Sequence, residues 1–186
     1  TLIYCYKKIK DVSGDIVECG VGRGFTFMML AFLNKLEGKG RNMWGFDAFS
    51  KGFPEPSYYD KSKRNPKKGE WATDERKYLY EFTKSIDLKN VNLIAGYFQE
   101  TLKNVNLPER IAFLHLDVDL YDSYKTCLEY LYPRVSKDGI IIFDDYGHSH
   151  KWPGGKKAID NFFSGKKELL QPNPLNPLKY YTCIIK

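Results

Sequence analysis

The sequence predicts an open, doubly wound α/β domain, in which a mostly parallel sheet carries helices on both faces. Two observations predict it. Short, continuously apolar runs alternate with helical patterns along the chain, as in a parallel sheet that is buried on both faces. Most of these runs end in glycine or aspartate, and the carboxyl ends of strands are where α/β sheets place their ligands. The length of 186 residues suits one domain, residues 1–186, with one insertion.

The first predicted strand covers residues 15–21, a short apolar run that ends in glycines. A helix is predicted over residues 24–36. Because this helix is apolar on nearly all sides, we expect it to be largely buried. Gly38 and Gly40 are typical of the end of a helix.

The second predicted strand covers residues 42–47. A stretch rich in proline, glycine and charge follows at about 50–71, and we expect this insertion to fold over a bound ligand as a lid. The next helix is predicted to run from Thr73, whose hydroxyl suits an N-cap, to Ile86.

Three further strands are predicted at 91–95, 111–116 and 139–143, with a helix over 121–135 before the last of them. Residues 139–143 are apolar on both faces, as expected of a strand inside the sheet. The run at 178–185 follows several prolines and has no helix after it. We therefore expect it to close the sheet at or near an edge.

Composition excludes several classes of protein. Hydrophobic residues make up 42% of the chain and aromatic residues 16%, which is too much for a disordered chain. No run approaches the roughly eighteen apolar residues of a membrane span. The four cysteines lie far apart and form no C-x-x-C pair, so we expect buried free thiols in a cytoplasmic protein.

A glycine-rich loop follows the first strand, and in it Gly20, Gly22 and Gly24 alternate with other residues. Glycines let the backbone turn sharply and approach a ligand, and the helix that follows offers free N–H groups. A nicotinamide fingerprint needs G-x-G-x-x-G, but Phe25 occupies the position of the last glycine. Glu18, two residues before the first glycine, adds a carboxylate to the loop.

The next two strand ends suit a nucleoside ligand. Asp47 ends the second strand, where a carboxylate can accept both hydroxyls of a ribose. Gly96 follows the third strand and permits a close approach of the ligand. Tyr97 or Phe98 could cover an adenine face and Gln99 could bond its edge, although core packing by the two aromatic rings is the alternative.

Four carboxylates follow the last two parallel strands, with Asp117 and Asp119 after the fourth and Asp144 and Asp145 after the fifth. The carboxyl ends of parallel strands meet at one edge of a sheet, so we expect the four to converge. Like charges at that distance repel unless a cation neutralises them, and ligands that are all oxygen select Mg²⁺, Ca²⁺ or Mn²⁺. The alternative is that they cap helices and bind loop amides.

Histidines and a basic run complete the candidate residues. His148 and His150 lie after the fifth strand, where they could act as a base, an extra metal ligand or substrate contacts. His115, inside a predicted strand, is most simply a core residue with satisfied hydrogen bonds. The run Lys61–Lys68 carries five positive charges and could touch phosphates, although a solvated loop is the simpler interpretation.

Taken in order, these motifs resemble the macrocin-O-methyltransferase-like family of class I S-adenosylmethionine-dependent methyltransferases. The matching segments are Gly14–Gly22, Phe46–Phe49 with Gly52–Glu55, Gly96–Leu102, Leu116–Ser123 and Asp144–Tyr146. The resemblance implies a Rossmann-like sheet of seven strands with the last one antiparallel. It also implies a Mg²⁺-dependent transfer of a methyl group from S-adenosylmethionine to a sugar hydroxyl of a small molecule.

The site residues follow from the motifs and this resemblance. The implied metal ligands are Asp117, Asp144 and Asp145. The cofactor-binding residues are Glu18, Gly20, Gly22, Gly24, Phe25, Thr26, Asp47, Ala48, Gly96, Phe98, Gln99 and Asp117. The predicted catalytic residues are Asp117, Asp119 and His148. A divalent cation stabilises the alkoxide of a poorly nucleophilic hydroxyl, and Asp117 or Asp119 can take the proton.

Three alternatives stay open. An NAD(P)-dependent Rossmann oxidoreductase would use the same sheet and Asp47, although the loop spacing and the surplus of carboxylates count against it. An O-methyltransferase of a catechol-type vicinal diol follows the same metal chemistry. A nucleic-acid-binding module built on Lys61–Lys68 has little use for four clustered acids, which repel phosphate. We therefore expect neither a nucleic acid nor a membrane as partner, and a homodimer is compatible with the family.

Overall fold

Five parallel strands form the centre of the fold. A computed structural model describes residues 1–168, 170–172 and 182–186, and for residues 182–185 it describes the backbone. The parallel strands are β1 (Asp15–Cys19), β2 (Met43–Asp47), β3 (Val91–Ala95), β4 (Ile111–Leu116) and β5 (Val135–Phe143). They lie in the order β3-β2-β1-β4-β5. This arrangement confirms the predicted parallel sheet.

Two short strands extend the sheet beyond β5. They are β6 (Gln171–Pro172) and β7 (Thr182–Ile185). β7 pairs antiparallel with β5, and β6 pairs antiparallel with β7. Residues 178–181, the first half of the predicted last strand, lie outside the described residues.

Helices cover both faces of the sheet. Within the described residues they are α1 (Leu2–Lys8), α2 (Phe25–Glu37), α3 (Arg76–Ser85), α4 (Phe98–Asn104), α5 (Tyr121–Leu131) and α6 (Pro153–Phe163). Side chains of α1, α2 and α3 pack with Ile16 in one core, and those of α4, α5 and α6 pack with Val17 in a second core. Because adjacent strand residues point to opposite faces, the two cores lie on opposite sides of the sheet. The predicted doubly wound fold is confirmed.

Three local predictions were wrong. The helix α2 is not buried on nearly all sides, since Phe25 is 77% and Leu36 67% exposed. The sheet covers only one side of this helix. Thr73 is not an N-cap, because α3 begins at Arg76 after Glu75. The helix predicted over 121–135 ends at Leu131, where a 3₁₀ turn containing a proline takes over.

Buried thiols were predicted and are found. Cys5, Cys19 and Cys127 are buried, and Cys19 and Cys127 carry free thiols, whereas the side chain of Cys183 lies outside the described residues. No helix in the described part of the chain is long and apolar enough to cross a membrane.

The sheet order determines where a ligand site can form. From β1 the chain continues to β2 and β3 on one side, and from β4 it continues to β5 on the other side. The connections after β1 and β4 therefore diverge to opposite faces. A crevice opens between them, beyond the carboxyl ends of these two neighbouring strands.

Candidate active site

A cavity of about 290 Å³ occupies the crevice beyond β1 and β4. The glycine-rich loop after β1 forms one wall, and the segments after β2, β3 and β4 form the others. All of the predicted cofactor-binding residues line this cavity except Glu18, which is buried in β1. The structure thus brings together residues from four strand ends that are distant in the sequence.

Gly20 lets the ends of β1 and β4 approach each other. Its φ is 85°, and a Cβ atom at this position would lie 1.7 Å from the carbonyl oxygen of Asp117. Only glycine combines this backbone conformation with this contact. The close approach between the ends of β1 and β4 therefore requires glycine at this position, whether or not a ligand also contacts it.

Asp47 is fixed beside the cavity by backbone donors. The N–H of Gly22 donates to Oδ2 at 2.8 Å, and the N–H of Phe49 donates to Oδ1 at 2.5 Å. Burial raises the pKa of Asp47, and these hydrogen bonds offset the rise only in part. Each carboxylate oxygen keeps a second lone pair, so Asp47 can still accept a hydrogen bond from a ligand hydroxyl.

Three ionisable groups lie side by side, the buried Glu18 on β1, the buried His115 on β4 and the partly exposed Asp144 just after β5. Glu18 pairs with His115 in the sheet register, and its Oε1 lies 3.0 Å from Nδ1 of His115. Nε2 of His115 lies 3.9 Å from Oδ1 of Asp144. Burial lowers the pKa of His115, but the bonds to Asp144 and Glu18 outweigh it and raise the pKa to about 10. His115 is therefore a cation held between two carboxylates at neutral pH.

Asp117, Asp119 and Asp145 form a carboxylate cluster next to these groups. One oxygen of each lies within 4.8 Å of the others. Oδ2 of Asp145 accepts hydrogen bonds from the N–H of Asp119 at 2.9 Å and the hydroxyl of Tyr124 at 2.8 Å. Among the described residues, no lysine or arginine forms an ion pair with the cluster.

The cluster concentrates negative charge in a buried place. Burial and then the neighbouring carboxylates raise the pKa values of Asp117 and Asp119 well above the usual range. Burial and then the charge of Asp144 raise the pKa of Asp145 to about 6. The repulsion among these groups would be relieved by a bound cation or by protons.

The backbone at Asp119 is strained. Its φ is 55°, in the left-handed region, and the N–H of Leu120 donates to the carbonyl of Val118 at 2.5 Å, which closes a γ-turn. Such conformations cost about 1–3 kcal/mol and persist where the surroundings impose them. Here the bond from the Asp119 N–H to Asp145 stabilises the turn and keeps Asp119 in the cluster.

The compact trio differs from the predicted set of metal ligands. Both Asp144 and Asp145 lie in the bend that follows β5, and there Asp144 lies beside His115 whereas Asp145 joins Asp117 and Asp119. Asp144 still acts on the pKa values of Asp117 and Asp145. All four carboxylates therefore meet at one edge of the sheet, as expected, but three of them make the close group.

His148 lies outside the carboxylate cluster. It ends a 3₁₀ turn, Tyr146–His148, and lines a second cavity of about 710 Å³ together with His150. The centroids of the two imidazole rings are 5.8 Å apart. A catalytic role for His148 stays a prediction.

The insertion (residues 50–71) is anchored to the rest of the fold. Oδ1 of the buried Asp60 accepts a hydrogen bond from the N–H of Tyr121 at 2.8 Å, and Oδ2 accepts bonds from the N–H and the hydroxyl of Ser57 at 2.7 Å each. A Cβ atom on Gly154 would lie 1.9 Å from Asp60, so the start of α6 also packs against this carboxylate. Asp60 thereby fixes the insertion to the first turns of α5 and α6.

A sequence profile of the macrocin-O-methyltransferase (TylF) family matches residues 4–178. The chain belongs to this family. It is 32% identical over 160 residues to demethyldecarbamoylnovobiocin O-methyltransferase of Streptomyces niveus, which covers 82% of this chain and 59% of that protein. It is 34% identical over 154 residues to 8-demethyl-8-(2,3-dimethoxy-alpha-L-rhamnosyl)-tetracenomycin-C 4'-O-methyltransferase of Streptomyces olivaceus. This second match covers 78% of this chain and 58% of that protein. The chain thus spans less than two thirds of the length of these curated relatives.

The solved structure of CalS11, a calicheamicin methyltransferase, superposes on this member of the macrocin-O-methyltransferase family with a TM-score of 0.85. The two are 26% identical, and the match covers 99% of this chain and 76% of CalS11. The predicted Rossmann-like methyltransferase fold is thereby confirmed.

Three site residues of this macrocin-O-methyltransferase family member were not predicted from the sequence. His115 is surrounded by apolar residues in its strand, and only the register of β1 and β4 shows that it lies beside Glu18. Tyr124 has the helical spacing of a core residue, yet its hydroxyl bonds Asp145. Asp60 did leave a signal, because an acid three residues after a serine, here Ser57, is typical of a capping box.

Proposed function

We propose that the chain is an S-adenosylmethionine-dependent O-methyltransferase that acts, with a divalent cation, on a hydroxyl of a sugar or sugar-containing small molecule. One observation carries the proposal: Asp117 and Asp119 line the glycine-walled cavity and also belong to the carboxylate cluster. A cofactor site and an acid cluster are therefore adjacent. Family membership supports methyl transfer, and the Streptomyces olivaceus relative is named for a rhamnosyl 4'-O-methylation.

The first cavity suits S-adenosylmethionine. Asp47 has a free lone pair on each oxygen for the ribose hydroxyls, and the loop from Gly20 to Gly24 allows close approach of the backbone. Glu18 lies behind this loop, and its buried Oε2 has no hydrogen-bond partner among the residues described. When bound, S-adenosylmethionine supplies the methyl group on a sulfonium, whose positive charge suits this acidic surrounding.

The carboxylate cluster suits a hard divalent cation. Burial, and then repulsion among the carboxylates, raises the pKa values of these groups, which a bound cation would counteract, and carboxylate oxygens are the ligands that Mg²⁺ prefers. Asp117, Asp119 and Asp145 would hold the ion, with Asp144 adjacent. When bound, a divalent cation lowers the pKa of a hydroxyl group that contacts it.

The acidic residues also provide a place for the proton. Transfer of a methyl group to a hydroxyl oxygen releases the hydroxyl proton, which needs an acceptor at the site. Asp117 and Asp119 line the cavity, so a carboxylate oxygen of either residue would face the acceptor hydroxyl. Either of the two would take this proton.

The insertion would cover the acceptor. Phe53, Pro54 and Trp71 line the first cavity from the insertion, which places apolar surface opposite the glycine-rich loop. Since Asp60 anchors the segment, it would act as a fixed wall that excludes water from the reacting groups. Residues 1–186 would then form one methyltransferase domain.

The test separates cofactor binding from turnover. Calorimetry with S-adenosylhomocysteine measures the cofactor site, and release of S-adenosylhomocysteine from S-adenosylmethionine, with Mg²⁺ and a panel of sugars and catechol, measures the reaction. Asp145 does not line the first cavity, so Asp145→Asn should bind S-adenosylhomocysteine like the wild type. The Mg²⁺-dependent turnover of this variant should be about 100-fold lower than that of the wild type. The matched control is Asp11→Asn, whose side chain is 84% exposed.

The outcomes are distinct. Absence of S-adenosylhomocysteine binding, together with binding of NADH, would refute the methyltransferase and favour the oxidoreductase. Turnover that survives both chelation and Asp145→Asn would remove the metal from the proposal and leave methyl transfer. Turnover of catechol without turnover of any sugar would assign the diol as acceptor.

A further inference from the structure

A second, positively charged cavity lies between the insertion and the loop after β5. Its volume is about 710 Å³. Lys63 and Arg64 line it from the insertion and Lys151 from the loop, while Trp71 and Trp152 supply flat apolar walls. None of the described residues that line it is acidic. We call it the cationic cavity.

Arg64 holds the two indole rings in place. Its guanidinium carbon lies 5.3 Å from the ring centroid of Trp71 and 5.2 Å from that of Trp152. The two ring centroids are 5.7 Å apart and the rings nearly perpendicular. Nη2 of Arg64 also pairs with Oε2 of Glu70 at 2.9 Å. Arg64 is therefore neutralised within the protein and serves as a cation–π support for the wall.

The two lysines are different, because their charge is uncompensated. Within the described part of the chain, neither Lys63 nor Lys151 forms an ion pair. The hydroxyl of Ser62 donates to the carbonyl of Lys151 at 2.8 Å, which ties together the two segments that carry these lysines. The imidazoles of His148 and His150 line the same cavity. Two ammonium groups held at one cavity favour a compact anion with several acceptor oxygens.

The cationic cavity shares an aromatic wall with the proposed active site. Trp71 lines both cavities. Phe53, which lines the first cavity, packs against Trp71 at 5.2 Å and against Trp152 at 5.9 Å between ring centroids. The two cavities therefore lie on either side of one aromatic wall, so a ligand long enough to pass over this wall would contact both.

We propose that the methyl acceptor carries a phosphoryl group, which Lys63 and Lys151 bind in the cationic cavity while a sugar hydroxyl reaches the carboxylate cluster. The inference rests on the proposed function and deepens it. Both a sugar phosphate and a nucleoside diphosphate sugar contain this chemistry, whereas a neutral glycoside lacks it. Lys63 from the basic run, Lys151 and the two loop histidines acquire a common role as parts of the proposed acceptor site.

Binding of small probes tests the inference without turnover. Calorimetry in EDTA, with S-adenosylhomocysteine present at saturation, compares uridine diphosphate, inorganic pyrophosphate and neutral uridine. Uridine diphosphate should bind at least about tenfold more tightly than uridine, and Lys63→Ala/Lys151→Ala should remove this preference. Lys67→Ala/Lys68→Ala is the matched control, because it removes two exposed charges of the same insertion that do not line the cavity.

Each result supports or overturns the inference. Uridine diphosphate binding more tightly than pyrophosphate identifies a nucleoside diphosphate sugar, and equal binding identifies a sugar phosphate. The inference is overturned if uridine binds as well as uridine diphosphate, or if both double variants weaken binding equally. It is also overturned if a short single-stranded oligonucleotide binds more tightly than uridine diphosphate and responds to both variants. Binding of S-adenosylhomocysteine in the same samples distinguishes a failed inference from a failed proposed function.

Discussion

Replacement of Asp145 by asparagine should stabilise the metal-free protein at neutral pH. Asp145 is 2% exposed, and burial with the charge of Asp144 raises its pKa to about 6 from an ordinary value of 3.8. A rise of this size corresponds to roughly 3 kcal/mol. The asparagine Oδ1 can still accept hydrogen bonds from the N–H of Asp119 and the hydroxyl of Tyr124. The variant therefore loses the repulsion and keeps the bonds.

The sign of the pH dependence follows from the direction of this shift. The unfolded chain loses the Asp145 proton near pH 3.8, whereas the folded protein keeps it up to about pH 6. The folded state thus binds more protons in this window, and its stability falls as the pH rises through it. The advantage of the variant should be almost absent below pH 4, about half developed at pH 5 and complete above pH 7.

Thermal unfolding in EDTA measures the effect. In a domain of this size 1 kcal/mol shifts the Tm by about 2–4 °C, so Asp145→Asn should melt about 6–12 °C above the wild type at pH 7.5. Mg²⁺ should raise the Tm of the wild type more than that of the variant. The reasoning is refuted if the variant is less stable than the wild type by the same amount at pH 5 and pH 7.5. The control Asp11→Asn should change neither the Tm in EDTA nor the rise in Tm that Mg²⁺ produces.

Three further predictions concern the surrounding structure. Gly20→Ala should lower the free energy of unfolding by at least about 3 kcal/mol in urea denaturation, because its Cβ would meet a carbonyl oxygen at 1.7 Å. The matched control is Gly22→Ala, which should lower the free energy of unfolding by only about 1 kcal/mol, because no atom lies within 4 Å of its Cβ. Equal losses of stability in the two variants would contradict the role of the contact between residue 20 and the Asp117 carbonyl. Glu18→Gln should lower the pKa of His115 from about 10 in an NMR titration, because one carboxylate partner loses its charge, and an unchanged pKa would show that Glu18 does not stabilise the imidazolium. Asp60→Ala should accelerate tryptic cleavage in the insertion about tenfold at constant Tm, and an unchanged rate would mean that other contacts anchor it.

Strands were predictable from the sequence because each is a short apolar run between breaking residues. The bounds predicted for 91–95 and 111–116 are those of β3 and β4. The helix α6 was not predicted, since it begins with proline and two glycines. Proline is tolerated at a first helical position, and a Cβ on Gly155 would lie 2.9 Å from the Tyr124 ring. Close packing against α5 thus selects residues that would otherwise indicate a loop.

The candidate site was predictable in its position and only partly in its membership. The rule that ligands lie beyond strand ends identifies Asp47 and Asp117 without any knowledge of side-chain direction. Membership of the carboxylate cluster depends on that direction. Asp119 joins through a left-handed turn and takes the place of the predicted Asp144, and Asp144 lies instead beside His115. Neither feature has a signature in the residue types.

Long-range contacts fix the position of the insertion, which carries part of the proposed acceptor site. Asp60 bonds the N–H of Tyr121, 61 positions away, and Ser62 bonds the carbonyl of Lys151, 89 positions away. These two bonds fix the basic residues relative to the carboxylate cluster, since Tyr121 follows Asp119 by only two residues. From its composition the basic run is predicted to be a solvated loop, because none of its own residues indicates which distant part of the chain it contacts. The distance between the carboxylate cluster and the cationic cavity is therefore set by contacts that span up to half the chain. In the proposed acceptor site, Asp60→Ala should change the ratio of turnover between phosphorylated and neutral sugars, although Asp60 itself would touch no acceptor atom.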